Sequence, residues 1–118
     1  MNLASYLTAT NTSGLFELKD DGTVLYSRFR KDNQLLNAIP EMVGHNFFDE
    51  IAGFENARDF RRIFNNFISS NKFTDNFVFD CRFTDETVRV RVMMVRAFEN
   101  RYPNPSDIVI LDIRNGIY

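Results

Sequence analysis

The stretch MVGHNFFDEIAGF, residues 42–54, marks the centre of this chain, because two glycines divide it into short turns and a helix pattern follows directly. Gly44 and Gly53 are of the residue type that punctuates irregular segments. Asn56 is suited to cap the following helix, with Asp59 at its N3 position. Apolar side chains then recur at intervals of three and four residues, which places them on one helix face: Phe60, Ile63, Phe64, Phe67 and Ile68. We predict a helix over residues 56–69 with this face in the core.

Five β-strands are predicted around this centre. Alternating or continuous apolar patterns indicate strands at residues 14–19, 23–29, 77–83, 88–97 and 108–113. The tight-turn dipeptide Asp21-Gly22 joins the first two into a hairpin. Because the order contains hairpins and no repeated strand–helix–strand unit, we predict an α+β domain. It has a five-stranded antiparallel sheet with helices packed on one face.

Length and composition indicate one domain. The 118 residues, 44% of them hydrophobic, suffice for a single core, so we expect one domain over residues 1–118. It includes a cap helix over residues 1–12 and no effector domain. The formal charge of −2 does not favour nucleic acid. Neither a signal peptide nor a membrane-spanning apolar run is recognisable, so we expect a cytoplasmic protein without a membrane partner.

Two residue types that often carry chemistry occur once each. Cys81 has no intrachain partner and stands among Phe residues, so we expect a buried, inert thiol of raised pKa. His45 has neither a second metal ligand nor a catalytic partner in a recognisable motif. We therefore predict no metal site and no catalytic site, and we expect that the protein is not an enzyme.

The element order resembles that of PAS sensor domains, and the spacing is most similar to the photoactive yellow protein family. Residues 22–83 align with that family without a gap, through the Asp-Gly turn, the run Gly44-His45-Asn46-Phe47-Phe48 and the Phe-rich helix and strand. The resemblance implies a PAS fold. It also implies a sensory or regulatory role in signal transduction.

The resemblance does not extend to the chromophore. In that family a cysteine binds a hydroxycinnamoyl group as a thioester, and a tyrosine and a protonated glutamate hydrogen-bond its phenolate. The alignment places Phe54, Ser27 and Lys31 at those positions. Leu35 and Asn37 replace a threonine and an arginine near the chromophore. A hydroxycinnamoyl cofactor is therefore not supported.

Two other PAS cofactors are not supported either. Flavin-binding PAS domains carry a reactive cysteine on a helix, whereas Cys81 lies on a predicted strand. Oxygen-sensing PAS domains hold haem through a histidine, and the helix predicted over residues 56–69 contains none. The cofactor, if one is bound, is not identified by the sequence.

Two functions remain open. The first is a PAS module that senses a small ligand or relays a signal through protein contacts, and the alternative is a ligand-free PAS dimerisation or scaffold domain. Phe54 either fills the cavity or forms the wall of a smaller apolar pocket. For a small apolar ligand, with Ser27 or Lys31 as the polar contact, we predict a lining of Ser27, Phe29, Lys31, Leu35, Ile39, Phe54, Phe79, Cys81 and Phe83.

The expected partners are a second copy of the chain and a downstream effector domain or signalling protein. The cap helix predicted over residues 1–12 carries an apolar stripe. An isolated helix this short is marginal in water, so the stripe must dock against another surface. The strand over residues 88–97 is apolar on both faces at its far end, which leaves an outer surface to be covered. We predict a homodimer surface made of Leu3, Tyr6, Leu7, Met93 and Val95.

Overall fold

The computed structural model describes Leu3, Leu7 and residues 11–31, 34–38, 40–99 and 106–116. Its strands are β1 (Thr12–Lys19), β2 (Val24–Lys31), β3 (Gln34–Ala38), β4 (Thr74–Arg82), β5 (Thr87–Glu99) and β6 (Ser106–Asn115). They form a single six-stranded sheet in the order β3-β2-β1-β6-β5-β4, with every described pairing antiparallel. The five predicted strands and the α+β class are confirmed, and the first and last strands are neighbours at the centre of the sheet.

The strand missing from the prediction is β3. It pairs with β2 at three positions, Arg28 with Ala38, Arg30 with Leu35, and Lys31 with Gln34, and the register is irregular between them. Five residues with an interrupted register are too few to produce a recognisable alternation. The strand forms because the edge of β2 offers hydrogen-bonding partners in its backbone, and this edge is present only in the folded chain.

The segment between β3 and β4 contains three helical pieces on one face of the sheet. A 3₁₀ turn covers Pro40–Met42, a π-helical turn covers Phe47–Ile51, and α1 covers Ala57–Ser69. Helix α1 buries Phe60, Phe64 and Phe67, so the predicted amphipathic helix is confirmed.

The predicted capping role of Asn56 is wrong. Asn56 is the residue that precedes α1, but its side chain makes no capping hydrogen bond. Instead its amide nitrogen donates to the Asp80 carbonyl (2.7 Å) and its oxygen accepts from the Arg82 amide (3.0 Å). A carboxamide carries both a donor and an acceptor, so it can pair with a strand edge as a neighbouring strand would. Asn56 therefore ties the start of α1 to β4.

The core lies between the helices and the inner face of the sheet. Alternate residues of β5 and β6 are buried there, among them Val90, Val92, Met94 and Leu111. Among the described residues, no helix is long and apolar enough to cross a membrane.

The N-terminal leucines belong to this inner core. Leu3 and Leu7 are fully buried in it, and the Leu7 amide donates to the Leu3 carbonyl (2.8 Å) as in a helical turn. The Leu3 amide donates to the Ile51 carbonyl (3.0 Å), and the Asn115 side chain donates to the Leu7 carbonyl. The prediction that these leucines form a dimer surface is wrong, because the chain's own core removes them from water. Tyr6 lies outside the described residues.

Candidate functional site

A continuous cluster of phenylalanine rings includes four residues that the sequence predicts to line a ligand pocket, namely Phe29, Phe54, Phe79 and Phe83. The Phe54 ring contacts Phe60, Phe79 and Phe83 at centroid separations of 6.0, 5.9 and 5.8 Å. Only 4% of Phe54 is exposed. Each such ring pair contributes about 0.5–1.5 kcal/mol beyond its buried area. Phe54 thus packs as a core side chain against α1 and β4.

The cluster continues toward β2 through rings that the pocket prediction omits. Phe47 contacts Phe60 at 6.0 Å and Phe16 at 5.0 Å, and Phe16 contacts Phe29 at 5.6 Å. Phe16 is on the alternating strand β1, so its inward direction was readable from the pattern. The position of Phe47 required the π-helical turn, which the sequence did not reveal.

The remaining predicted pocket residues are placed differently. Ser27 and Cys81 are buried at inward positions of β2 and β4. Lys31 is exposed at the end of β2, so it is not a polar contact inside the core. Leu35 lies in β3, but its side chain is outside the description, and Ile39 lies outside the described residues. The structure therefore brings together the aromatic members of the set.

Cys81 is a buried thiol, as predicted. Burial raises the pKa of Cys81 to about 12, and the neighbouring Asp80 carboxylate adds to the increase. The thiolate is the form that attacks electrophiles and binds metals. Cys81 is therefore inert near neutral pH.

Hydrogen bonds of Asn46, in the central stretch of the sequence, join the β1–β2 hairpin to the π-helical turn, and we call this set of bonds the lock. The Asn46 side-chain oxygen accepts from the amides of Phe48 (3.0 Å) and Asp49 (3.2 Å). Its nitrogen donates to the Asp21 carbonyl (2.9 Å), and the Phe47 amide donates to the Gly22 carbonyl (2.9 Å). The β1–β2 hairpin is thus fastened to the π-helical turn.

Glu50 completes this lock. Its carboxylate accepts from the Asn46 amide (2.7 Å) and lies 3.2 Å from Nδ1 of His45. The Asn46 amide, followed by the His45 side chain, lowers the pKa of Glu50. This pair is structural. Among the described residues, no group of three or more His, Cys, Asp or Glu side chains could hold a metal ion.

The outer face of the sheet carries an open groove of about 460 Å³. Its lining comes from β4, β5 and β6: Asn76, Phe77, Val78, Arg91, Val92, Met93, Asp112 and Arg114. Val78 is 56% exposed and Met93 is 38% exposed, although both are apolar. The Asp112 carboxylate accepts two bonds from Arg114, at 3.1 and 3.0 Å. The groove therefore combines exposed apolar surface with charged groups.

Comparison with known proteins supports the fold. No protein-family model matches the chain. No curated protein matches it either. Among solved structures it is similar to the photoactive yellow protein domain of the sensor histidine kinase Ppr from Rhodospirillum centenum, with a TM-score of 0.57 and 22% identity. The match covers 98% of this chain and all of that domain. This chain thus has a PAS fold of the photoactive yellow protein type, as the sequence predicted.

Proposed function

We propose that the chain is a sensory or regulatory PAS module that relays a signal through protein contacts on the outer face of its sheet. The observation that carries the proposal is the contrast between the two faces. The inner face is packed with Phe rings that include Phe54, whereas the outer face exposes Val78 and Met93 in the groove. Exposed apolar surface of this kind is typical of protein contacts.

The fold supports a signalling role. The similar solved domain is part of a sensor histidine kinase. Fold alone does not establish function, so the role of this chain rests on its own two faces.

The two faces are connected through single residues of β4. The Phe77 ring packs 5.7 Å from Phe60 of α1 on the inner side, and its neighbour Val78 is exposed on the outer side. Phe77 and Val78 both line the groove, so a shift of α1 relative to β4 would change the shape of the groove through these two adjacent residues. A signal needs two arrangements of such an element, whose populations a partner or ligand changes.

The second candidate is a ligand-free dimerisation or scaffold domain. The sequence leaves open whether Phe54 fills the cavity or forms the wall of a smaller pocket. The contacts of its ring with Phe60 and Phe83 favour the first alternative and therefore a ligand-free domain. In that function two copies associate through Met93 and Val95 on the outer face. Native mass spectrometry of the purified chain separates a retained ligand from an empty protein.

The leading proposal is tested by site-specific photo-crosslinking in cells that produce the protein. A benzophenone amino acid replaces Met93 in one variant and Arg58, on the exposed side of α1, in the matched control. We expect crosslinks to a signalling protein from position 93 and not from position 58. Equal yields from both positions, or no crosslink from position 93, would contradict the proposal.

A further inference from the structure

A row of arginines crosses the outer face at one end of the sheet, and only the strand register reveals it. Arg114 of β6 is directly opposite Arg91 of β5. On its other side Arg114 is opposite Ser13 of β1, which in turn is opposite Arg30 of β2. Opposed residues of an antiparallel pair point to the same face. We call Arg30, Arg91 and Arg114, all exposed, the arginine row.

The row is unexpected in this chain. Like charges at directly opposed positions destabilise a sheet, and the chain as a whole carries a formal charge of −2. The described lining of the groove includes Arg91, Arg114 and one acidic residue, Asp112, which accepts two hydrogen bonds from Arg114. Basic side chains therefore outnumber acidic ones among the described residues that line the groove, and a partner that supplies carboxylates would complement this surface.

The apolar groups in the groove define the rest of the partner. Val78 is directly opposite Arg91, and Met93 lies two residues further along β5. A polynucleotide or an inorganic anion would leave these side chains in water, whereas a peptide with both carboxylates and aliphatic side chains would cover them. We propose that the groove binds an acidic amphipathic helix of a partner protein, an inference that rests on the signalling function proposed above.

The spacing of the arginine row fits a helix that lies across the strands. Neighbouring strands are about 4.8 Å apart, so the backbone separation is about 5 Å from Arg91 to Arg114 and about 10 Å from Arg114 to Arg30. A helix rises about 1.5 Å per residue. Carboxylates at positions i, i+3 and i+10 then lie near the three arginines. Leucines at i+4, i+8 and i+11 form the adjacent stripe, toward Met93.

A second copy of the chain fits less well. A two-fold interface presents the same patch from both subunits, so the arginine row would enter the contact from both sides. The net charge of the groove thus favours an acidic partner over self-association.

The test uses a fluorescein-labelled 16-residue peptide with glutamates and leucines at those positions. Fluorescence anisotropy measures its binding to the purified chain. We expect micromolar binding that weakens at least tenfold in the variant Arg91→Gln/Arg114→Gln, and that weakens with added salt because exposed charges are screened. The matched control Arg58→Gln/Arg62→Gln, on the exposed side of α1, should bind unchanged. Circular dichroism verifies that both variants are folded.

Several outcomes would overturn the inference. A peptide with glutamines in place of the glutamates could bind the unmodified chain equally well, or both double variants could bind alike. A DNA duplex could bind more tightly than the peptide, or light scattering could show a dimer that the Arg91→Gln/Arg114→Gln change dissociates. If crosslinks from position 93 to a signalling protein persist in any of the first three cases, the signalling surface stands and only the acidic partner is wrong. A dimer that the double change dissociates would instead support the scaffold function. If the peptide binds as expected but crosslinks are absent, the proposed function fails instead.

Discussion

Replacement of Arg96 should destabilise the protein much more than replacement of an exposed arginine on the same strand. Arg96 of β5 reaches the end of α1, where its Nη2 donates to the carbonyls of Phe67 (2.6 Å), Ile68 (3.2 Å) and Ser70 (3.2 Å). Its Nε donates to the Lys72 carbonyl at 3.3 Å, and its guanidinium lies 5.2 Å from the centroid of the Phe67 ring. The last carbonyls of a helix have no partners within the helix, and a cation there also interacts favourably with the helix dipole.

The magnitude follows from these contacts. A hydrogen bond to a charged group contributes about 1.5–3 kcal/mol, but one Nη2 has only two hydrogens for its three acceptors. One strong bond, weaker shared bonds and the cation–π contact, about 0.5–1 kcal/mol, give a loss of about 3 kcal/mol for Arg96→Ala. Arg96→Lys keeps the charge, but it cannot span the same carbonyls, so it should lose about half as much.

Urea unfolding followed by far-ultraviolet circular dichroism measures the change. Arg89→Ala is the matched control, because Arg89 forms a bidentate pair with Asp80 (2.9 and 3.2 Å) while its side chain is 74% exposed. Exposed ion pairs contribute about 0–1 kcal/mol. The reasoning is refuted if Arg96→Ala and Arg89→Ala lower the free energy of unfolding equally, or if Arg96→Lys costs as much as Arg96→Ala.

Three further predictions concern the buried thiol and the lock. Cys81 should not react with a disulfide reagent at pH 7 until urea unfolds the chain. Because the pKa of Cys81 is higher in the folded chain than in the unfolded one, the free energy of unfolding should fall as pH rises above about pH 9, and Cys81→Ala should lack this fall. Asn46→Ala should lower the free energy of unfolding by about 1–2 kcal/mol, whereas Asn46→Asp, which keeps the acceptor for the Phe48 and Asp49 amides, should lower it less; equal losses would deny the capping role. Because the folded pKa of Glu50 is depressed, its contribution is present above the unfolded pKa and is lost as pH falls. Acid titration of Glu50→Gln should therefore show a shallower loss of stability below about pH 4.5 than the unmodified chain, and parallel curves would exclude this role.

The sequence by itself determined five of the six described strands and the main helix. Strand alternation and helical periodicity are local properties, so the inward Phe16 of β1 and the buried Phe60 and Phe64 of α1 follow from their spacing alone. The burial of Cys81 follows in the same way, because an apolar strand position among Phe residues faces the core.

Tertiary structure decided the features that depend on distant parts of the chain. The edge strand β3 forms only because β2 offers it backbone partners, and Asn56 pairs with β4 because folding brings the strand edge to it. Leu3 and Leu7 could have covered either face by their apolar character alone. The arginine row joins residues from β2, β5 and β6, whose register is set by pairing between β1 and β6. A pattern within one strand states which residues share a face, but only long-range pairing determines which strands lie side by side.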